Sequence, residues 1–118
     1  MAVRSQRNNN PGNIRTNSTA WEGKVGDDGS FVTFATPEHG VRAMVKTLYT
    51  YQERHGKRTL REIISRWAPP NENSTATYIS IVSKETGIDP DKPLDLRNDS
   101  NATKKITNAM IRMEGGNS

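Results

Sequence analysis

The sequence predicts a mainly helical α+β fold with one β-hairpin near its N-terminus, and three patterns support this prediction. Apolar residues recur with helical period in four stretches beyond residue 36. Aromatic and β-branched residues flank the turn Gly26-Asp27-Asp28-Gly29, which indicates a hairpin pairing roughly residues 20–26 with 30–35. Segment 7–20, RNNNPGNIRTNSTA, suits neither element because Asn, Pro and Gly favour turns. We therefore expect a loop, a hairpin and four helices in that order.

The ends of the four helices are marked by residues with known capping preferences. Ser, Thr and Asn side chains can accept hydrogen bonds from the first turn, while Gly and Pro end a helix. Thr59 and Glu62 have the spacing of a capping box. The predicted helices begin at Thr36-Pro37, Thr59, Asn73 or Ser74, and Ser100 or Asn101, and they end at Gly56, Pro69-Pro70, Gly87 and Gly115-Gly116.

Length and composition bound the class of protein. The 118 residues have the usual size of one domain, so we expect a single domain over 1–118, with a frayed start at 1–6, the loop and hairpin at 7–35, and helices at 36–114. There is no cysteine, which excludes disulfides and a thiolate nucleophile. Two histidines are too few for a zinc site without carboxylates, so we expect no cofactor and no metal. Residues 1–15 lack the apolar core of a signal peptide, which predicts synthesis in the cytoplasm.

The net charge of +4 raises the question of an anionic partner. The densest basic cluster, HGKRTLR at 55–61, lies at a predicted helix–helix junction. Basic residues there also complement a helix C-terminus, so a solvated surface is the preferred interpretation over a polyanion site. No membrane-spanning stretch is present, and no membrane partner is expected. No nucleic-acid-binding motif is present either, so a basic nucleic-acid-binding module is the third and weaker interpretation.

The Asn-rich loop is the first candidate binding element. Amide side chains suit hydroxylated and amide-bearing ligands such as amino sugars; the alternative is a turn whose amides bind only its own backbone. Trp21, in a polar stretch beside Gly23, is the better of the two tryptophans for stacking on a sugar ring. The candidate substrate-binding residues are Asn8, Asn9, Asn10, Asn13, Arg15 and Trp21.

Glu114 is the candidate general acid. It is predicted to be the last helical residue of MIRMEGGNS, where the partial negative charge of the helix C-terminus disfavours an ionised carboxylate. A general acid must hold its proton near neutral pH, so this position suits that role. The alternative is a solvated terminal glutamate. A second carboxylate, if the chemistry needs one, would be Asp28, Asp27 or Glu22.

The strings RNNNPGNIR, WEG, PEHGVRAM and RWAPPNEN resemble a group of small phage virion proteins over roughly residues 7–87. Those proteins are described as structural or as lysozyme-like, muralytic proteins. MIRMEGGNS and NNNPGNIR also resemble the acid-bearing helix end and the Asn-rich loop of lytic transglycosylases and glucosaminidases, in reversed chain order and with Glu-Gly-Gly in place of Glu-Ser-Gly. The resemblance therefore implies a lysozyme-like domain, circularly permuted, with Glu114 as the acid and Asn13 lining the cleft.

Two functions follow from this resemblance. The first is a phage peptidoglycan glycosidase, either a lysozyme or a lytic transglycosylase, that acts on glycan strands. The second is a non-catalytic virion or host-interaction module that binds glycan, other virion proteins or a small host molecule with the same cleft. Either protein would be made in the host cytoplasm and act in the virion or on the cell wall.

Overall fold

Helices dominate the computed structural model, which describes residues 4–68 and 74–116. In those ranges it contains five helices and one two-stranded antiparallel sheet, and this confirms the predicted mainly helical α+β class. The elements are α1 (Arg4–Arg7), β1 (Lys24–Asp27), β2 (Val32–Phe34), α2 (Pro37–His55), α3 (Leu60–Trp67), α4 (Thr75–Thr86) and α5 (Ser100–Gly116). Within the same ranges, no helix is both long enough and apolar enough to cross a membrane.

Most predicted helix ends are confirmed by their hydrogen bonds. Thr36 Oγ1 accepts from the His39 N–H at 3.3 Å, as a cap of α2 should. Thr59 and Glu62 form the predicted capping box of α3. Ser74 caps α4, and Gly87 ends that helix with a φ of 71°, a left-handed conformation that glycine adopts readily. Asn73 and Pro69-Pro70 lie outside the described residues.

Three boundaries differ from the prediction. Residues 4–7 form the short helix α1 where a frayed start was expected, and four residues are too few to show helical periodicity. Asp99 rather than Ser100 or Asn101 caps α5, because its Oδ1 accepts from the Ala102 N–H at 3.0 Å. Helix α5 also continues through Gly115 to Gly116. The preference against glycine in a helix is only about 1 kcal/mol and does not prohibit it.

The hairpin pairs fewer residues than predicted. Asp27 lies opposite Val32 and Lys24 opposite Phe34, with a bulge between Lys24 and Gly26. The other edge of β2 faces the Asn-rich loop, since the Val32 N–H donates to the Ile14 carbonyl at 3.0 Å and the Phe34 N–H donates to the Asn8 carbonyl at 2.8 Å. The loop therefore continues the hydrogen bonding of the sheet.

The chain divides into two compact units, the first formed by Met1–Lys46 with Met110–Ser118 and the second by Thr47–Ala109. Helices α2 and α5 each contribute residues to both units. The single-domain prediction stays a prediction. Buried apolar residues of the first unit are Ile14, Phe31, Val32, Phe34, Ala43, Met44 and Met110; those of the second are Leu48, Leu60, Ile63, Ile64, Tyr78, Ile79, Val82, Leu96, Ala102, Ile106 and Ala109.

Candidate functional site

Asn10 is the structural centre of the Asn-rich loop. Its side chain is 1% exposed. Its amide nitrogen donates to the carbonyls of Ile14 and Val32, both at 2.9 Å, and its Oδ1 accepts from the Ile14 N–H at 2.9 Å. Both amide hydrogens are therefore used within the protein. For Asn10 the geometry fits the alternative of a turn that binds its own backbone, and not the predicted substrate contact.

Asn8 and Asn9 also hold the loop against the hairpin. The amide nitrogen of Asn8, a buried residue, donates to Asp28 Oδ2 at 2.9 Å. That of Asn9 donates to the carbonyls of Phe34 at 3.0 Å and Ala35 at 3.3 Å. Asn9 has a φ of 51°, a left-handed conformation that asparagine tolerates better than most residues. The two side chains thus fix the loop's path, which leaves Asn13 as the loop asparagine that reaches elsewhere.

Asn13 contacts the candidate acid. Its side-chain amide nitrogen lies 3.1 Å from the Glu114 carbonyl oxygen and 3.2 Å from Glu114 Oε1, and it donates to both. Asn13 is buried and Glu114 is half-buried. The carbonyls of a last helical turn lack helical partners, so Asn13 satisfies one of them while it binds the carboxyl group of the same residue. The structure therefore joins the loop and the helix end that the sequence singled out separately.

Two glycines allow this loop to lie directly on α2. A Cβ at Gly40 would overlap the Asn9 carbonyl oxygen, and a Cβ at Gly12 would lie 2.5 Å from Met44 Cγ. Gly40 is in a helix, where glycine is disfavoured, so close approach of the loop explains its presence. Sequence analysis missed Gly40 as part of the site; an isolated glycine within PEHGVRAM was the available signal.

Asp28 is a turn residue with a strongly stabilised carboxylate. Its Oδ1 accepts from the backbone N–H groups of Ser30 at 3.0 Å and Phe31 at 2.8 Å. The hydrogen bond from Asn8, followed by those from Phe31 and Ser30, lowers the pKa of Asp28 to about 2. Asp28 is therefore an ionised, exposed carboxylate at neutral pH that links the hairpin turn to the loop.

Glu22 lies next in the chain to Trp21 and pairs with a residue that sequence analysis did not single out. Its Oε2 is 3.0 Å from Arg42 Nε, and both side chains are more than half exposed. An exposed ion pair of this kind contributes little to stability.

Trp21 and Arg15 retain partly accessible surfaces. Trp21 is half-buried, and its Nε1 is buried without a hydrogen-bond partner among the described residues. The carbonyl of Trp21 accepts from the Lys24 N–H at 3.1 Å, so Trp21–Lys24 forms a tight turn with Gly23 at a φ of 80°. Arg15 is exposed, and its guanidinium lies 5.0 Å from the centre of the Phe31 ring. Both can contact a ligand without rearrangement of the backbone.

No three His, Asp or Glu side chains gather closely enough to hold a metal ion within residues 4–68 and 74–116. The site contains one half-buried carboxyl group, that of Glu114, which accepts a hydrogen bond from the Asn13 side-chain amide. That arrangement can exchange a proton with a bound ligand and can form hydrogen bonds to its hydroxyl groups.

Fold and site together define a small, α-rich protein with an amide-held glutamate near a helix C-terminus. Its sequence matches no protein-family model. It is 40% identical over 120 residues to Protein P5 of Pseudoalteromonas phage PM2, in an alignment that covers 98% of this chain and 72% of that protein. The chain therefore belongs to the same family as Protein P5. This relative is a phage protein, as the sequence predicted; its name states no activity.

Proposed function

We propose that this protein cleaves the glycan strands of peptidoglycan as a lytic transglycosylase, with Glu114 as general acid and Asn13 as its positioning residue. The observation that carries the proposal is the contact between Asn13 and Glu114, which lie 101 positions apart in the sequence. A solvated terminal glutamate would need neither partial burial nor an amide partner from a distant loop. Glu114 has both.

The geometry of Glu114 suits proton transfer to a glycosidic oxygen. Asn13 donates to Oε1, so the transferred proton is carried by Oε2 in the proposed reaction. The same amide binds the Glu114 backbone carbonyl, which fixes the side chain relative to the helix that bears it. General acid catalysis of this kind contributes roughly 100- to 10,000-fold to rate when the donor is held within hydrogen-bond reach of the leaving oxygen.

The remaining carboxylates favour a transglycosylase over a two-carboxylate hydrolase. Glu22 is paired with Arg42, and Asp27 Oδ1 accepts from the Gly29 N–H at 2.8 Å. Asp28 accepts hydrogen bonds from Asn8, Ser30 and Phe31. A hydrolase of the usual kind needs a second carboxylate that attacks the sugar or activates water. A transglycosylase needs one acid, because a hydroxyl of the substrate itself attacks.

In the proposed reaction Glu114 protonates the glycosidic oxygen, and the bond from that oxygen to the anomeric carbon breaks. The C6 hydroxyl of the same sugar then bonds to the anomeric carbon and returns its proton to Glu114. Atoms and charge balance without water, and a 1,6-anhydro sugar results. The half-buried ring of Trp21 offers a surface for stacking on a neighbouring sugar.

One observation favours the second candidate function, a glycan-binding module without catalysis. Asn8, Asn9 and Asn10 donate their amide hydrogens to the hairpin. These amides hold the loop against the hairpin and supply no catalytic group, which suits a fixed docking surface for glycan, protein or a small host molecule.

Product analysis separates these functions. Purified peptidoglycan is incubated with the protein between about pH 4 and about pH 9, because general acids operate near their own pKa. The soluble fragments are then identified by mass. Fragments ending in 1,6-anhydro sugars support the proposal. Fragments with reducing ends would indicate a hydrolase instead. Binding to insoluble peptidoglycan without any release would favour the non-catalytic module.

A further inference from the structure

A basic groove in the second unit is separate from the proposed function and concerns a different ligand. This open groove has a volume of about 370 Å³ and is lined by Lys57, Arg61, Glu62, Ser65 and Arg66, four of which lie on α3. Three cations and one carboxylate thus line the groove, and a further carboxylate, that of Asp91, is paired with Arg61. Lys57 and Arg61 belong to the 55–61 cluster, and α3 adds Arg66 to them.

The carboxylate of Glu62, which lines the groove, accepts hydrogen bonds from backbone N–H groups at the start of α3. Glu62 Oε1 accepts from the backbone N–H groups of Arg58 at 3.0 Å and Thr59 at 3.1 Å. The hydrogen bond from Arg58 lowers the pKa of Glu62 most, and those from Thr59 and the nearby Lys57 charge lower it further. Desolvation of the carboxyl group opposes this shift in part. The Glu62 charge is therefore compensated within the protein.

The cations of the groove differ in how they are held. Arg61 is fixed by a two-pronged pairing with Asp91, at 2.7 and 3.1 Å. The Arg66 guanidinium lies 5.2 Å from the centre of the Tyr51 ring and 3.3 Å from His55 Nε2. The Lys57 ammonium forms no hydrogen bond or ion pair with any residue that the structure describes. Among the described residues, Lys57 and Arg66 are thus the two cations of the groove that form no ion pair with a carboxylate.

We propose that this groove binds the phosphodiester backbone of a nucleic acid without reading its bases. Guanidinium groups match the paired non-bridging oxygens of a phosphate, and the lysine and serine add a point charge and a hydroxyl donor. Arg61 is already paired with Asp91, so Lys57 and Arg66 are the cations of the groove that can contact two phosphates.

The lining favours this ligand over an anionic lipid surface. All five lining side chains are polar, so no apolar group enters the acyl region of a lipid surface. The Tyr51 ring lies under Arg66 and cannot stack on a base, which restricts the contacts to the backbone.

The salt dependence of binding to a fluorescent DNA duplex of about 20 mixed-sequence base pairs tests the proposal. With two phosphate contacts, affinity falls roughly 10-fold between about 50 and about 200 mM salt. Lys57→Ala and Arg66→Gln each reduce the slope of log affinity against log salt by about 1. Lys104→Ala, which removes an exposed cation of α5 that does not line the groove, leaves the slope unchanged.

Three results would overturn the proposal. The first is Lys104→Ala lowering the slope as much as Lys57→Ala, because attraction would then follow net charge and not the groove. The second is poly-glutamate at equal charge displacing the duplex as well as unlabelled duplex does. The third is anionic lipid vesicles binding more tightly than DNA and losing that binding with Lys57→Ala. Circular dichroism of each variant confirms that the fold is retained.

Discussion

Asn13 donates one side-chain amide to two oxygens of Glu114, the backbone carbonyl at 3.1 Å and Oε1 at 3.2 Å. The two residues are 101 positions apart, and each lies in a segment that the sequence marks for a different reason. The backbone of Asn13 has a φ of 50°, a left-handed conformation that persists only where the surrounding loop holds it. The contact gives a helix-terminal glutamate a defined orientation, as proton transfer requires.

Asn13→Gly removes this amide while keeping a backbone that accepts the left-handed conformation. In the proposed enzyme, we expect kcat to fall roughly 10- to 100-fold with KM nearly unchanged, because the acid is misplaced and the substrate surface is not. Thermal unfolding of the variant shows whether the fold is retained. A raised KM with unaltered kcat would instead make Asn13 a substrate contact.

Asn10→Ala is expected to destabilise the protein by about 3 kcal/mol, since it leaves buried backbone groups of Ile14 and Val32 without partners. Urea unfolding at equilibrium measures the change. Asn17→Ala is the matched control, because Asn17 is exposed and bonds only locally, to the Thr19 N–H, among the hydrogen bonds the structure describes for its side chain. Equal effects of the two substitutions on the free energy of unfolding would refute the conclusion that the Asn10 side chain holds the loop to the hairpin.

Gly→Ala substitutions in two helices should change stability in opposite directions. At Gly40 the new Cβ overlaps the Asn9 carbonyl oxygen, so Gly40→Ala destabilises although alanine is the better helix former. At Gly115 a Cβ meets no atom within 4 Å, so Gly115→Ala stabilises by up to about 1 kcal/mol. The melting temperatures of the two variants measure these changes. A higher melting temperature for Gly40→Ala than for the wild type would exclude close packing of the Asn-rich loop on α2.

Asp28 should make stability depend on pH in the acid range. Its pKa is lowered from 3.8 to about 2, first by Asn8 and then by Phe31 and Ser30, so the folded state favours the ionised form. The resulting stabilisation is complete above about pH 4 and is lost as the pH falls toward about 2. Asp28→Asn should reduce the slope of melting temperature against pH over that interval, while Glu53, Glu62 and Asp91, whose pKa values are also lowered, retain part of it. Parallel curves for the wild type and the variant would show that Asp28 is not responsible.

The helices were predictable from the sequence because their information is local. The capping box of Thr59 and Glu62 and the left-handed Gly87 depend on residues within one or two turns. The extension of α5 through Gly115 was missed, because glycine only weakly disfavours a helix.

The site was predictable only in part. Glu114 and the Asn-rich loop stood out by residue type. Which partner each asparagine binds, however, depends on contacts with residues 20 or more positions away. The partner of Asn8 is Asp28 and one partner of Asn10 is Val32, and no local pattern specifies these pairs. The lining of the basic groove spans only residues 57–66, and the structure adds Arg66 to the cluster that the sequence marked at 55–61.

Clearing of purified peptidoglycan by Glu114→Gln tests the central claim most directly. Glutamine keeps the size of the side chain and its hydrogen bond from Asn13, but it cannot donate the proton. Glu53→Gln is the matched control, because Glu53 is exposed, is paired with Arg97 and belongs to no candidate site. We predict clearing by the wild type and by Glu53→Gln, and loss of activity by at least about 100-fold in Glu114→Gln. Equal clearing by Glu114→Gln and the wild type would contradict the account.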